Sequence, residues 1–475
     1  MKKNFLAMTA LAAMLFAGCT SSDDLTTRET ITKANEAATP INFGTYMGKT
    51  GTRAGTAGVI TTTSLQTGTH KNDGFGVYGY LHSSLIIDAA AISVAPNFMW
   101  NEQVTFTSPN WVYDPVKYWP NGEDGNNTSP SNTATQNAAQ YLSFFAYAPF
   151  VSAGAASTGI TAIPANDANN LKISYQLPST ITDPTTIVDL LWGMRNNSTG
   201  YNLTDGSEDA SQKANNYNVN LTKQNTTEKV NFLFKHALAK IGGYDNTNGQ
   251  SGIKVVYDID ANGSGITGGG TPDANTLVTI KSITIKNTKD GSDNSKLIAK
   301  GDFDISTGTW SNQAVDNTID PTVSITIAQS EMNTDIAEPT TAPTHPSTWT
   351  PVGVTTTAKD VYKTGTDVNP IVFIPGVAQE LEVEVEYIVR TYDAGLNSAA
   401  SGGEGTWTKV TQKIKNVVTL PAETAPNKYY TLVIHLGLTS VKFTATVSNW
   451  EGATAGAGAG ENPQVIWLPS NVIGS

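Results

Sequence analysis

The 475-residue sequence contains a single cysteine, Cys19, and the residues before it give the thiol a reaction to do. Phe16-Ala17-Gly18-Cys19 sets two small side chains ahead of the cysteine, the pattern of a lipobox, with Phe16 where leucine is more usual. Small residues let a peptidase reach the bond before Cys19, and the thiol is the nucleophile that accepts a diacylglyceryl group. Lys2 and Lys3 form a basic start, and residues 5–16 (FLAMTALAAMLF) form an apolar run in which Thr9 is the one polar side chain. That run falls short of the ~20 residues that span a bilayer, so residues 1–18 read as a secretion signal. The alternative, a plain signal with a chance cysteine, leaves a lone thiol in an exported chain, which is uncommon. Two or more acyl chains anchor stably, so lipid on Cys19 is expected to hold the chain in the outer membrane. With the thiol consumed, no disulfide can form.

Arg53 is the second residue with a chemistry of its own. The chain has four arginines, Arg28, Arg53, Arg195 and Arg390, and Arg53 lies among Gly, Thr and Ala. Such a stretch reads as an exposed loop open to proteases. Hydrolysis of the Arg53–Ala54 bond would release residues 19–53 as one piece, including an apolar alternation at Ile41, Phe43 and Met47 that reads as a short strand. Taking one strand out of a sandwich bares unpaired N–H and C=O groups beside an apolar groove. The plainer reading of Arg53 is a solvated loop residue, and the residues alone leave both open.

The end of the chain holds a candidate to fill such a groove. Residues 452–461 (GATAGAGAGE) are a linker of small side chains. Beyond it, large apolar residues return at Val465, Ile466, Trp467, Leu468, Val472 and Ile473. Burying four or five of them contributes on the order of 6–15 kcal/mol before ordering costs, and ladder bonds add to that, as in donor-strand complementation. Ten extended residues reach at most about 35 Å, comparable with the long dimension of a sandwich. Pro469 interrupts a ladder, so two short strands are expected on either side of it. The alternative is a tail packed back on its own domain.

Other patterns that could carry chemistry are weaker. Asp258-Ile259-Asp260-Ala261-Asn262-Gly263 opens like a calcium loop, but Gly269 stands where the bidentate Glu belongs; a turn is the expected role. Residues 263–270 lack the Lys-Ser/Thr of a phosphate loop. His70, His82, His236, His345 and His435 have no zinc spacing. His236 and His435 sit beside apolar residues and read as hydrogen-bonded core histidines. No Gly-x-Ser-x-Gly elbow occurs, and Glu382, Glu384 and Glu386 alternate as one solvated face. Trp111, Tyr113, Tyr118 and Trp119 could stack a sugar, though aromatics in sandwiches more often pack in the core. No catalytic residue, metal or cofactor is expected.

Short strands are the elements that would carry these residues. Charged side chains make up 15% of the chain, against about 25% in an average domain. Thr, Asn, Gly and Ser fill the difference, which favours strands and turns over long surface helices. The net charge of -12 argues against nucleic acid as a partner. Alternation predicts strands at residues 75–80, 141–148, 171–177, 187–192, 230–236, 253–257, 277–285, 381–389, 410–420, 430–438 and 441–450, and no segment keeps a helical period beyond a turn or two. Length suits two or three domains. The fold class expected is all-β, with sandwiches at residues 54–228 and 229–450 divided in a polar stretch at 196–228. Around them lie the signal (1–18), a tether with the detachable strand (19–53), and the linker with its strand-like extension (451–475). Residues 338–354 read as a long Pro/Thr-rich insertion.

Several blocks recur together in a recognisable order. They are the lipobox; Ile41-Asn42-Phe43 followed by Thr52-Arg53-Ala54; Trp111-Val112-Tyr113-Asp114-Pro115 with Lys117-Tyr118-Trp119-Pro120; Phe144-Phe145-Ala146-Tyr147-Ala148-Pro149; Asp189-Leu190-Leu191-Trp192-Gly193; residues 230–241; and residues 430–450. In this the chain resembles the fimbrillin family, the type V pilins and their relatives of Gram-negative gut and oral anaerobes. The resemblance implies two transthyretin-like β-sandwich domains and export as a lipoprotein, with residues 20–24 like the acidic tags that route such proteins to the cell surface. For shaft subunits it implies cleavage after an arginine, here Arg53, and polymerisation by strand exchange with other copies or related pilins, in support of adhesion. The other reading is a non-polymerising surface lipoprotein, or an anchor or tip protein, that binds host glycans or proteins.

Overall fold

The computed structural model describes residues 39–46, 60, 62–68, 70–82, 94–120, 141–155, 159–179, 187–195, 218–221, 229–245, 250–257, 276–288, 296–316, 324–340, 358–363, 365, 368–393, 406–437, 441–449, 464–467 and 470–472. Cys19, Arg53, Ala54, Leu468, Ile473, His345, the 258–270 segment and the 452–461 linker lie outside the described residues. Among the described residues there are twenty-six strands, one five-residue helix, α1 (Thr62–Gln66), and a single 3-10 turn. The protein is all-β.

The first half supplies β1 (Phe43–Tyr46), β2 (Phe75–His82), β3 (Met99–Thr107), β4 (Asn110–Val112), β5 (Tyr141–Ala148), β6 (Ile160–Ala162), β7 (Lys172–Gln176), β8 (Leu191–Arg195), β9 (Asn218–Leu221) and β10 (Val230–His236). Eight of them form one sheet in the order β1-β10-β8-β5-β2-β3-β4, with β9 also on β5. Only β1 runs parallel to its neighbour there. The YLSFFAYA sequence of β5 is apolar at successive positions because both faces of the strand are covered. Phe144 and Ala146 face one core with Phe75, Val77, Phe232 and Phe234. Phe145 and Tyr147 face another with Tyr78 and Tyr80.

The second half supplies β11 (Ala239–Ile241), β12 (Tyr244–Asp245), β13 (Gln250–Ser251), β14 (Ile253–Tyr257), β15 (Thr276–Asn287), β16 (Lys300–Asp304), β17 (Thr309–Ala314), β18 (Ser324–Ala328), β19 (Lys359–Asp360), β20 (Ile371–Phe373), β21 (Gln379–Asp393), β22 (Thr406–Leu420), β23 (Lys428–Leu436), β24 (Val441–Asn449), β25 (Gln464–Trp467) and β26 (Ser470–Val472). A seven-stranded sheet runs β19-β14-β23-β11-β20, with β24 on β23 and β25 on β24. A five-stranded sheet runs β18-β15-β21-β22-β26. Leu381, Val383, Val385 and Tyr387 of β21 point into the core, and the intervening glutamates meet Lys286, Lys281, Lys413 and Lys415 on the wet face. Burial alone would raise the Glu384 carboxyl, yet hydrogen bonds and charge from Lys413 and Lys415 hold it below the ordinary range.

The two halves interlock. β6 and β7 share a four-stranded sheet with β16 and β17, in the order β17-β16-β7-β6. β10, just after the divide expected at 228/229, is hydrogen-bonded to β8 and β1 in the first sheet. One apolar cluster runs from Tyr78 and Tyr147 through Phe303 to Val385 and Ile434, while a second, aromatic one is confined to the first half.

Candidate functional site

The segment from Thr39 to Tyr46 closes the first sheet. Phe43, Gly44, Thr45 and Tyr46 lie opposite Val230, Asn231, Phe232 and Leu233 of β10, and the Val230 N–H donates to the Asn42 carbonyl at 2.8 Å. Just upstream, the Ile41 N–H donates to the Lys117 carbonyl and the Trp119 N–H to the Thr39 carbonyl, each at 2.9 Å. Residues 117–119 follow β4, at the opposite end of the sheet order from β1, so one short segment joins the two ends. The Tyr113 hydroxyl locks it, donating to the Ile41 carbonyl at 2.9 Å and accepting from the Lys117 N–H at 3.2 Å. Burial pushes that hydroxyl's pKa up to about 12, so it remains a donor at physiological pH.

Side chains complete the fit. Phe43 is 1% exposed, and its ring centre lies 5.3 Å from Tyr113, 5.5 Å from Phe144, 5.9 Å from Phe232 and 6.4 Å from Phe75. Ile41, two residues before it, is buried in the same cluster, as alternation along an extended chain requires. At Gly44 the Asn231 side-chain oxygen occupies the place a Cβ would take, so a larger residue there would have to turn that exposed side chain aside. Removing residues 39–46 from this arrangement leaves a slot lined by Phe75, Tyr113, Phe144 and Phe232. Unpaired backbone groups of β10 and of residues 117–119 would then flank it. Of the aromatic block, Trp111, Tyr113 and Trp119 are buried here, whereas Tyr118 is 49% exposed.

The tail lies on the second half of its own chain. β25 runs antiparallel to β24, with Val465 opposite Thr446, Ile466 opposite Ala445 and Trp467 opposite Thr444. β26 runs antiparallel to β22, with Val472 opposite Asn416. Since β24 and β22 belong to different sheets, the tail crosses from one to the other on either side of Pro469. Among the described residues no group of His, Cys, Asp and Glu could hold a metal, and no helix is long and apolar enough to cross a membrane.

Over 146 residues the sequence is 29% identical to the fimbrium subunit Fim1C of Phocaeicola vulgatus, a stretch that covers 30% of this chain and 30% of that protein. Over that stretch the chain resembles a fimbrium subunit. The match spans under a third of that relative's length, and no family model matches the sequence. Two solved structures are similar to this chain in a looser way. A fimbrial protein from Bacteroides vulgatus is 18% identical with a TM-score of 0.47, over 86% of this chain and 99% of that one. A candidate cell adhesion protein from Bacteroides uniformis is 11% identical with a TM-score of 0.31, over 86% and 98%. Neither likeness is close enough to carry a residue role across. Nothing local in the sequence marks Tyr113 as the residue that fixes the first strand, because its bond to Ile41 joins positions 72 apart.

Proposed function

We propose that the chain is a structural subunit of a surface pilus, exported as a lipoprotein through Cys19, cleaved between Arg53 and Ala54, and polymerised by donor-strand exchange in support of adhesion. The observation that carries this reading is the seating of Ile41 and Phe43. They plug an aromatic slot through a segment that lies entirely upstream of the Arg53–Ala54 bond. After cleavage that segment is held by non-covalent contacts alone, and a strand from another copy or a related pilin can replace it. Val465, Ile466, Trp467, Leu468, Val472 and Ile473 supply the apolar side chains for the exchange. The lipid is then a temporary tether, bringing the precursor to the outer surface of the outer membrane and leaving with residues 19–53.

One observation favours a second reading, a non-polymerising anchor, tip or adhesin lipoprotein that binds host glycans or proteins. The pairing of β25 and β26 within the chain is an arrangement such a protein would keep. Protein purified from the cell surface separates the two. A mature N-terminus at Ala54 with a high-mass ladder on unboiled gels is expected. Lipidated Cys19 as the only mature end, with no ladder even after protease treatment, would sink the pilus reading. Deletion of residues 463–475 is expected to leave folded monomer without polymer, and polymers that persist rule out the tail as donor.

A further inference from the structure

Asp189 and His236 form a buried polar pair with no part in the exchange as described. His236 ends β10, and its Nδ1 lies 2.6 Å from Asp189 Oδ2, with the two side chains 3% and 2% exposed. The same carboxylate oxygen accepts the backbone N–H of Ile60 at 3.2 Å, across 129 positions of sequence. Asp189 Oδ1 is buried with no hydrogen-bond partner among the described residues. A carboxylate kept in such a place is costly unless its bonds do something an apolar residue cannot.

Its surroundings show what is being held. Tyr175 of β7 donates its hydroxyl to the Val188 carbonyl at 2.7 Å, leaving Asp189 to His236 and Ile60. The His236 N–H donates to Asn427 Oδ1 at 3.3 Å, so β10 is gripped at this end from the second half as well. Ile60 and Leu65 of α1 are buried in the same aromatic cluster as Phe43. That cluster therefore receives the start of the chain twice, through residues 39–46 before the Arg53–Ala54 bond and through residues 60–65 after it. Among the described residues, a buried carboxylate ties down the second entry and none is recorded on the first.

We propose that Asp189, oriented by His236, is a positioning residue that anchors the processed chain at Ile60, so that the slot vacated by residues 39–46 does not widen to include α1. The proposal rests on the reading that the segment upstream of Ala54 leaves. Were Ile60 and Leu65 to follow it out, an incoming strand would meet a hollow that two or three side chains cannot fill. His236 lies on the strand whose residues 230–233 face that incoming strand, so the anchor and the acceptor edge are set by one element.

The test uses the full chain cut with trypsin and freed of the released fragment, with deuterium uptake read over residues 60–66 and, as an internal reference, over β5. Processed wild type is expected to stay as protected at 60–66 as the uncut chain. Processed Asp189→Ala is expected to exchange about tenfold faster there, with β5 unchanged, and to open a second cut after Lys71. Asp189→Asn keeps the shape and an acceptor without the charge, covers the case in which the alanine variant does not fold, and is expected to recover part of the protection. Equal protection at 60–66 in wild type and both variants overturns the anchor, as does faster exchange spread over β5, which marks general destabilisation. Uncut Asp189→Ala is expected to match uncut wild type at 60–66; a comparable loss before cutting makes the bond a plain fold contact and also overturns the proposal. Failure of the processing reading looks different. Wild type would then resist cutting at Arg53 or keep its fragment bound, and the anchor would fall with it.

Discussion

The Tyr113 hydroxyl donates to the Ile41 carbonyl at 2.9 Å, so the approach to β1 is fixed from a position 72 residues further along the chain. Its second bond, from the Lys117 N–H, ties the same oxygen to the strand end that Ile41 itself pairs with. Tyr113→Phe keeps the ring against Phe43 and removes both bonds. Loss of a buried hydrogen bond that strands its partner costs about 1–3 kcal/mol, so the full chain should lose that much in a urea titration. After cutting at Arg53 the fragment should leave about tenfold faster than from wild type, read as its dissociation rate. A dissociation rate unchanged by the substitution would show that Tyr113 does not hold the first strand.

Phe43→Ala addresses the slot itself. The ring touches four other aromatics and is almost wholly buried, so truncation leaves a cavity that a rigid β-core cannot collapse around. The expected loss is about 3–5 kcal/mol in the full chain, measured by chemical denaturation. In protein that begins at Ala54 the residue is absent and the difference must vanish. A loss below about 1 kcal/mol would mean that the neighbours close over the gap and that no slot outlasts the strand.

Alternation revealed the strands whose faces differ or whose length gives the pattern room. Residues 141–148 and 253–257 fold as their sequences predict. The strand predicted at 381–389 runs from Gln379 to Asp393 because β22 pairs with it along its whole length. The strand expected at 187–192 begins only at Leu191, since the preceding chain turns Asp189 inward to His236. β6, β11, β12, β13 and β19 are two or three residues long, too short to show any period, and the single turn of α1 leaves none either. Pairing of β7 with β16 leaves no local mark at all, which is why a polar stretch could suggest a divide where the sheets interlock. At the site, Ile41 and Phe43 were legible as neighbours on one face. Tyr113, Lys117 and Asp189 act across long sequence separations and were not.

Glu338 offers a test of buried charge away from the slot. Its carboxylate receives Arg390 Nη2 and the Thr279 hydroxyl, with Lys409 Nζ 3.7 Å away, and its N–H donates to the Ile280 carbonyl at 2.9 Å. Arg390→Met removes the main counter-charge and leaves Glu338 buried without it, at an expected cost of about 3–5 kcal/mol. Adding Glu338→Leu should recover most of that loss, because two apolar residues carry no desolvation penalty. A double-mutant cycle by urea denaturation gives the coupling; additive losses would show that the pair is not acting as a unit.

Alkaline pH should unfold the protein through its tyrosines. Burial pushes Tyr113 and Tyr430 up to about 12, and it raises Tyr78, Tyr80, Tyr147, Tyr175, Tyr257 and Tyr362 further. An unfolded tyrosine loses its proton near pH 10, so above that point the unfolded state binds fewer protons than the folded one. Stability is then full below about pH 10 and falls as pH rises through the folded values. The melting temperature should be level up to that pH and drop steeply beyond it, with phenolate absorbance appearing together with unfolding. Phenolate absorbance that rises gradually while the fold persists would mean these hydroxyls are open to solvent.

The tail covers two edges at once, and its departure should uncover both. β25 pairs with residues 444–447 of β24, and β26 pairs with residues 416–418 of β22. In an antiparallel ladder only alternate N–H groups point at a given neighbour, so deletion of residues 463–475 should speed exchange at alternate positions of these two short runs. About tenfold is expected there, with β23 and β21 unchanged because their own partners remain. Unaltered protection would show that the tail does not pair within the chain in solution. The same two runs report on the fibre. A tail that has left for a neighbouring subunit cannot cover them, so a polymer should show them as open as the deletion does. A polymer in which they stay protected must draw its donor strand from somewhere other than this tail.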